Sequence, residues 1–298
     1  MKNKCNSVLD KLKNKSKITG VGFQQLLQLL CQEEFLRRLS RTQYMDKYIL
    51  KGGLFIYILS DFQSRATIDM DFMLKNQSNN IDNLILSIKE IINVKTENYF
   101  IIFEIIDTKQ ITLEKKYPGV SVQMIGKVGN TRTPVNIDFG IGDVITPSTE
   151  IRVMKAQLNE FNDVCVNTYS LESTVAEKFD AILQRFELTS RMKDFYDIWY
   201  IATTFDFDGE LLSRAVKSTL LNRGTVIEKE SIERIIRLSE NPVILTRWNT
   251  FCKKMKINLE IRECIEMIGR LLNPVTENII KNQIHYDVWK SSEKSWRK

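Results

Sequence analysis

Leu50-Lys51-Gly52-Gly53, followed by Thr67-Ile68-Asp69-Met70-Asp71-Phe72, is the stretch on which the fold of this chain turns. Strand side chains alternate between two faces. Asp69 and Asp71 are two residues apart in a run whose other members, Ile68, Met70 and Phe72, are apolar. As a strand, the run points both carboxylates one way and its apolar side chains into a core. Val135-Asn136-Ile137-Asp138-Phe139-Gly140 has the same form, with one acid inside an apolar strand. If the two strands are neighbours, three carboxylates converge. Two such charges about 4 Å apart repel by roughly 4 kcal/mol at an effective dielectric of about 20. A divalent cation is the usual offset, and Mg²⁺ is a hard ion that prefers carboxylate and phosphate oxygens.

Gly52-Gly53 adds a second feature. Glycine tolerates positive φ and lets the backbone approach a ligand closely. A strand over residues 48–51, a Gly-Gly turn and a short helix over 54–59 would aim backbone N–H groups at a phosphate. Taken singly, Gly52-Gly53 reads as a plain turn, and Asp69 and Asp71 as solvated edge-strand acids. Taken together and in this order, they favour a site.

This succession of Gly-Gly, Asp-x-Asp and a later strand Asp resembles the polymerase-beta-like nucleotidyltransferase superfamily. A second stretch narrows the likeness: Leu171-Glu172-Ser173-Thr174-Val175-Ala176-Glu177-Lys178, then Arg185, then Arg191-Met192-Lys193-Asp194-Phe195-Tyr196-Asp197-Ile198. It closely resembles the AbiEii/AbiGii family, the toxin half of abortive-infection toxin–antitoxin pairs, over roughly residues 45–205. The chain departs from the family pattern in having Gly52-Gly53 where glycine-serine is usual, so no serine hydroxyl is offered to a phosphate. The fifteen residues between Gly53 and Asp69 are also a long gap.

The 298 residues, 43% hydrophobic and 27% charged, suit a globular protein of two ordinary domains. No apolar leader follows the N-terminal lysines, and the most apolar run, residues 99–106, is too short to span a bilayer. A cytoplasmic protein with no membrane partner is expected. Five scattered cysteines include no Cys-x-x-Cys, so they read as buried or idle thiols, not a disulfide frame or zinc site. The one histidine, His285, reads as a surface or packing residue, and its being alone removes histidine-rich metal sites. There is no Gly-x-x-x-x-Gly-Lys-Ser/Thr loop. Acid–base chemistry is left to carboxylates, lysines or metal-bound groups. A net charge of +6 and a pI near 8.9 suit a polyanionic partner without requiring one.

In chain order, residues 1–18 read as a short helix or loose arm. Phe23, Leu26, Leu27, Leu30, Phe35, Leu36 and Leu39 recur at three and four, predicting an amphipathic helix over 21–41. Arg65 lies in a loop before the acidic strand, 67–74, where it would meet a triphosphate or pair with a surface acid. Residues 76–80 are turn-like, and 81–92 read as a helix. Residues 99–106 predict a fully buried strand, with further strands at 111–115, 120–125, 135–139 and 164–168. Short connections make neighbours antiparallel. From Leu171 the pattern is helical, over 171–188, 191–205, 209–223, 230–238, 244–256 and 257–272. The fold class is therefore α+β, with a mixed-sheet nucleotidyltransferase-like domain over 1–168 and an all-helical domain over 169–298. The tail, 281–298, is polar and basic. Its Trp289 and Trp296 would tuck back onto the body or stack on bases.

Lys178 and Arg185 are seven apart, hence on one face if the helix is continuous. Facing an acidic sheet they would suit a triphosphate; otherwise they belong to a solvated face with helix pairs such as Lys193–Asp197. The family resemblance implies that Lys178 contacts phosphate and that Asp194 is needed for activity. The expected site is then Asp69, Asp71 and Asp138 as metal ligands for Mg²⁺, Gly52, Gly53, Arg65, Lys178 and Arg185 for the nucleotide, and Asp194 as a further catalytic group. The resemblance implies NMP transfer from an NTP to an acceptor such as tRNA, by a toxin opposed by an antitoxin. A small-molecule acceptor, as in antibiotic-modifying relatives, a protein acceptor, and a non-catalytic nucleotide- or RNA-binding module are the alternatives.

Overall fold

Seven strands form one mixed sheet in the order β3-β4-β5-β2-β1-β7-β6. The computed structural model describes residues 2–65, 67, 69–77, 80–111 and 118–298. It divides into two compact units, Met1–Gly142 with Glu150–Thr168, and Asp143–Thr149 with Tyr169–Lys298. The first unit runs α1 (Lys2–Thr19), α2 (Phe23–Leu39), β1 (Tyr48–Lys51), α3 (Gly52–Leu59), β2 (Asp69–Leu74), α4 (Ile81–Ile92), β3 (Ile101–Ile111), β4 (Gly119–Val128), β5 (Thr131–Gly140), β6 (Glu150–Met154) and β7 (Val164–Thr168).

Strand pairing is antiparallel along β3-β4-β5, as the short connections require. β2 joins β5 in parallel, and β1 joins β7 in parallel. Alternation puts Met70 and Phe72 of β2 and Ile137 and Phe139 of β5 on the buried face. Phe72 stacks on Phe139 with centroids 5.8 Å apart, and Tyr48 meets Phe139 at 5.1 Å. Each such ring contributes about 1.5–3 kcal/mol by burial. This layer fixes which face of the sheet is left for the acids.

Two expectations change here. Strand β3 begins at Ile101 and is not fully buried: it is an edge strand, with Ile102 53% and Ile106 57% exposed. It continues to Ile111, the first residue of the strand expected at 111–115. Residues 112–117 lie outside the described residues, as do Ser78 and Asn79 of the expected turn. Helix α2 is not amphipathic in the ordinary sense, since every residue from Leu26 to Leu39 is buried. Its charges are paired internally. Arg37 donates to Glu33 at 2.7 Å, and Arg38 to Glu34 at 2.8 Å. Thr96 and Asn98 also donate to Glu34. Burial raises the Glu33 pKa, with Arg37 and the Gln157 N–H only partly offsetting it. Strand β6 had no sequence forecast.

The second unit holds α5 (Leu171–Leu183), α6 (Met192–Thr204), β8 (Phe207–Asp208), α7 (Gly209–Arg223), α8 (Ser231–Arg237), α9 (Pro242–Met255), α10 (Ile261–Ile280), β9 (Val288–Lys290) and β10 (Ser295–Arg297). Helix α5 packs on α6 and α7, and α10 on α6, α7 and α8. This unit is not all helical. Strands β10-β9-β8 make a small antiparallel sheet. Trp289 on β9 is fully buried and donates its indole N–H to the Ala202 carbonyl at 2.7 Å. Trp296 lies against Trp289 and His285, so both tail tryptophans pack on their own unit.

Candidate active site

The turn after β1 is built on Gly52, with φ +71°. A Cβ there would lie 2.2 Å from Asp71 Oδ2, so only glycine leaves room for that carboxylate. Gly52 also opens α3, whose N-cap residue Lys51 provides no side-chain cap. The first N–H groups of a helix have no intrahelical acceptor, and an anion is a natural partner for them. A Cβ at Gly53 would lie 2.9 Å from Thr67 Oγ1 and 3.2 Å from Arg65 Nη2. Arg65 and Thr67 therefore crowd the second glycine, and a guanidinium stands beside the turn. Ile68 lies outside the described residues, and the acidic strand begins at Asp69.

Register gathers the acids. Asp71 is opposite Lys51 across β1 and opposite Asp138 across β5; Asp69 is opposite Asn136. Residues opposite each other in a sheet share a face, and i, i+2 residues share it too. Asp69, Asp71, Asp138 and Asn136 thus stand on one face, all half-buried, while Met70, Phe72, Ile137 and Phe139 point away. The carboxylates have different neighbours. Asp71 lies over Gly52, and Asp69 accepts from Asn136 Nδ2 at 3.4 Å. Among the described residues no three His, Cys, Asp or Glu side chains close around a common point as a finished metal cage would. Mg²⁺ ordinarily takes one or two carboxylates and completes its shell with substrate phosphates and water. Hard oxygen donors on a half-open face, beside an uncapped helix N-terminus, fit that ion. Asn136 was not singled out from sequence: an asparagine on a strand carries no signal until pairing sets it beside Asp69.

The second charged block lies in the second unit. Lys178 of α5 is buried and donates to Asp194 at 3.3 Å and Asp197 at 2.5 Å, both on α6. Asp194 also takes Arg191 Nε at 2.5 Å. Burial works against ionising Asp194, but Lys178 and Arg191 more than offset it and lower its pKa. Two cations meet two carboxylates here. The helix pair Lys193–Asp197 is thus replaced by Lys178–Asp197, because Asp197 turns inward and Lys193 outward. Arg185 does not share a face with Lys178: α5 ends at Leu183, and Arg185 is an exposed residue leading into a short 3₁₀ turn, Phe186–Leu188.

Sequence spacing gave no hint of a further cluster. Arg223 of α7 donates to Asp143 at 2.8 Å and Asp180 at 3.0 Å, and stands 3.1 Å from Glu177. Burial opposes its charge, yet Glu177 and Asp143 push its pKa up. The Asp143–Arg223 contact ties the segment Asp143–Thr149 to this unit.

A mixed sheet with paired acids on one strand, a third on its parallel neighbour and a glycine turn beside them defines a nucleotidyltransferase. Two crystal structures share the fold. JHP933 from Helicobacter pylori superposes with a TM-score of 0.51 at 14% identity, over 88% of this chain and 96% of that one. A "putative nucleotidyltransferase" from H. pylori gives 0.51 and 14%, over 89% and 100%. No curated protein matches the sequence. The chain belongs to the AbiEii family, whose model, "Nucleotidyl transferase AbiEii toxin, Type IV TA system", matches residues 34–266. No helix among the described residues is long and apolar enough to cross a membrane.

Proposed function

We propose that this AbiEii nucleotidyltransferase moves a nucleoside monophosphate from an NTP to an RNA acceptor, of which tRNA is the favoured class, in a Mg²⁺-dependent reaction. The register that sets Asp71 beside Asp138, with Asp69 on the same face, is the observation that carries this reading. Asp69, Asp71 and Asp138 would hold Mg²⁺, which when bound supplies charge neutralisation and polarisation of phosphoryl oxygens. The N–H groups opening α3 at Gly52-Gly53, with Arg65 at their side, receive the triphosphate tail. Asp138 takes the proton of the acceptor hydroxyl as that oxygen attacks the α-phosphorus. The bond to the β-phosphate oxygen breaks, pyrophosphate departs, and Asp138 returns its proton to solvent.

Lys178 and Asp194 enter as positioning residues, because the Lys178 charge is matched by two carboxylates. Arg185, exposed, is a candidate contact for a polyanion. The net charge of +6 agrees with an RNA acceptor. In the cell the chain would act in the cytoplasm as the toxin of a pair, restrained by a cognate antitoxin and released during phage infection.

The test is incubation with each α-labelled NTP, Mg²⁺ and total tRNA, beside Asp71→Ala. Label entering RNA with the wild type alone supports the proposal and names the nucleotide. Label entering a small molecule or a protein keeps the reaction and replaces the acceptor. Neither transfer nor NTP binding would sink it.

A further inference from the structure

Lys51 closes β1 and comes directly before the glycine turn. It is half-buried, and its register partner on β2 is Asp71. Asp71 in turn pairs with Asp138 on β5. Opposite residues in a sheet share a face. Lys51, Asp71 and Asp138 therefore form one row across three strands, on the face that holds Asp69. Asp71 leans toward the lysine's end of this row: a Cβ on Gly52, the residue after Lys51, would meet its Oδ2 at 2.2 Å. The rest of β1 is Tyr48, Ile49 and Leu50, all buried. The one ammonium of that strand falls on the row of the acids.

Neighbouring strands lie about 4.8 Å apart. Two carboxylates about 5 Å apart repel by roughly 3 kcal/mol at an effective dielectric of about 20. Before a metal binds, a cation beside Asp71 offsets that cost. Once a divalent ion shares the carboxylate, the ammonium and the ion repel each other. A lysine charge sits on a flexible four-carbon stem and has three donors, so it can leave one anion for another. The second anion at this turn is the triphosphate tail, seated on the N–H groups of Gly52-Gly53. The tail needs such a cation. Lys178, expected at the phosphates, is already matched by Asp194 and Asp197. Arg65 stands at Gly53, one residue further along the turn. We propose that Lys51 is a further substrate-binding residue of the nucleotidyltransfer reaction. It balances Asp71 in the resting protein, yields that carboxylate to Mg²⁺, and donates to a β- or γ-phosphate oxygen of the NTP. This rests on Asp69, Asp71 and Asp138 being the metal face.

Lys51→Gln and Lys51→Met remove the charge, and Lys51→Arg keeps it. Two affinities are read on each full-length protein. One is for Mn²⁺ alone, by electron paramagnetic resonance. The other is for an α,β-methylene NTP analogue at saturating Mg²⁺, by calorimetry, with the base that the wild type binds most tightly. The two charge-removing variants should bind Mn²⁺ about tenfold more tightly, because a competing cation is gone. They should bind the analogue about tenfold more weakly, because a charge-assisted donor is gone. Lys51→Arg should fall between them and the wild type in both affinities. Either charge-removing variant carries the test if the other does not fold. Opposite signs mark a charge that serves the acids and the phosphates in turn; a lysine with a structural role alone would move both affinities the same way or neither. Failure of either shift, in a wild-type background that binds both Mn²⁺ and the analogue, overturns this proposal and leaves the metal face standing. A wild type that binds neither removes the metal-face reading, and this proposal with it.

Discussion

A methyl group at Gly52 would stand 2.2 Å from Asp71 Oδ2, on a backbone at φ +71° that side chains avoid. Gly52→Ala therefore strains the turn and displaces the carboxylate together. We expect about 1–3 kcal/mol lost in urea unfolding, and a fall of about 100-fold in kcat/KM for transfer. Arg65→Ala should raise the KM for NTP by about tenfold, the mark of lost ground-state binding. That Asp69, Asp71 and Asp138 share one sheet face, beside a turn at Gly52, was legible in the sequence, because strand alternation and spacing predict it. Asn136 was not, since its place beside Asp69 exists only through the parallel pairing of strands 67 residues apart. The inward turn of His285 was equally hidden: one histidine in a polar tail has no pattern to read.

Helices α5 and α6 meet across a buried ammonium held by two carboxylates. Removing one partner strands the others in low dielectric. Lys178→Met should cost about 3–5 kcal/mol in denaturant unfolding. Adding Asp197→Asn should recover part of that loss, and a double variant no more stable than Lys178→Met would contradict the pairing. The pH dependence has a definite sign. Although burial opposes ionisation of Asp194, Lys178 and Arg191 hold its carboxyl below the ordinary 3.8. Its contribution is complete above pH 3.8 and fades as pH falls through the lower folded value. Unfolding midpoints of wild type and Asp194→Asn should converge below that pH. The sequence placed Lys178 and Asp194 on consecutive helices, and the structure keeps them there. It could not show that they bind each other. The expected alignment of Lys178 with Arg185 failed because Phe186 and Leu188 extend the apolar rhythm past the true helix end at Leu183.

At the scale of the whole molecule, the mixed sheet was readable because its longer strands alternate or run apolar over many residues. The small sheet was not, since strands of two and three residues are too short for any period to appear. Its Trp289 is nonetheless fully buried. Trp289→Ala should destabilise by about 3–5 kcal/mol, seen as a lower melting temperature with or without RNA. A tail serving only to stack on bases would leave the melt unmoved and weaken RNA binding instead. The most direct test of the central claim is metal binding at the acidic face. Mn²⁺, standing in for Mg²⁺, is titrated by electron paramagnetic resonance with a non-hydrolysable NTP analogue present. The wild type should bind the ion, and Asp69→Asn, Asp71→Asn and Asp138→Asn should each weaken binding by about tenfold or more while melting normally. Equal Mn²⁺ affinity in the wild type and all three variants would contradict the account.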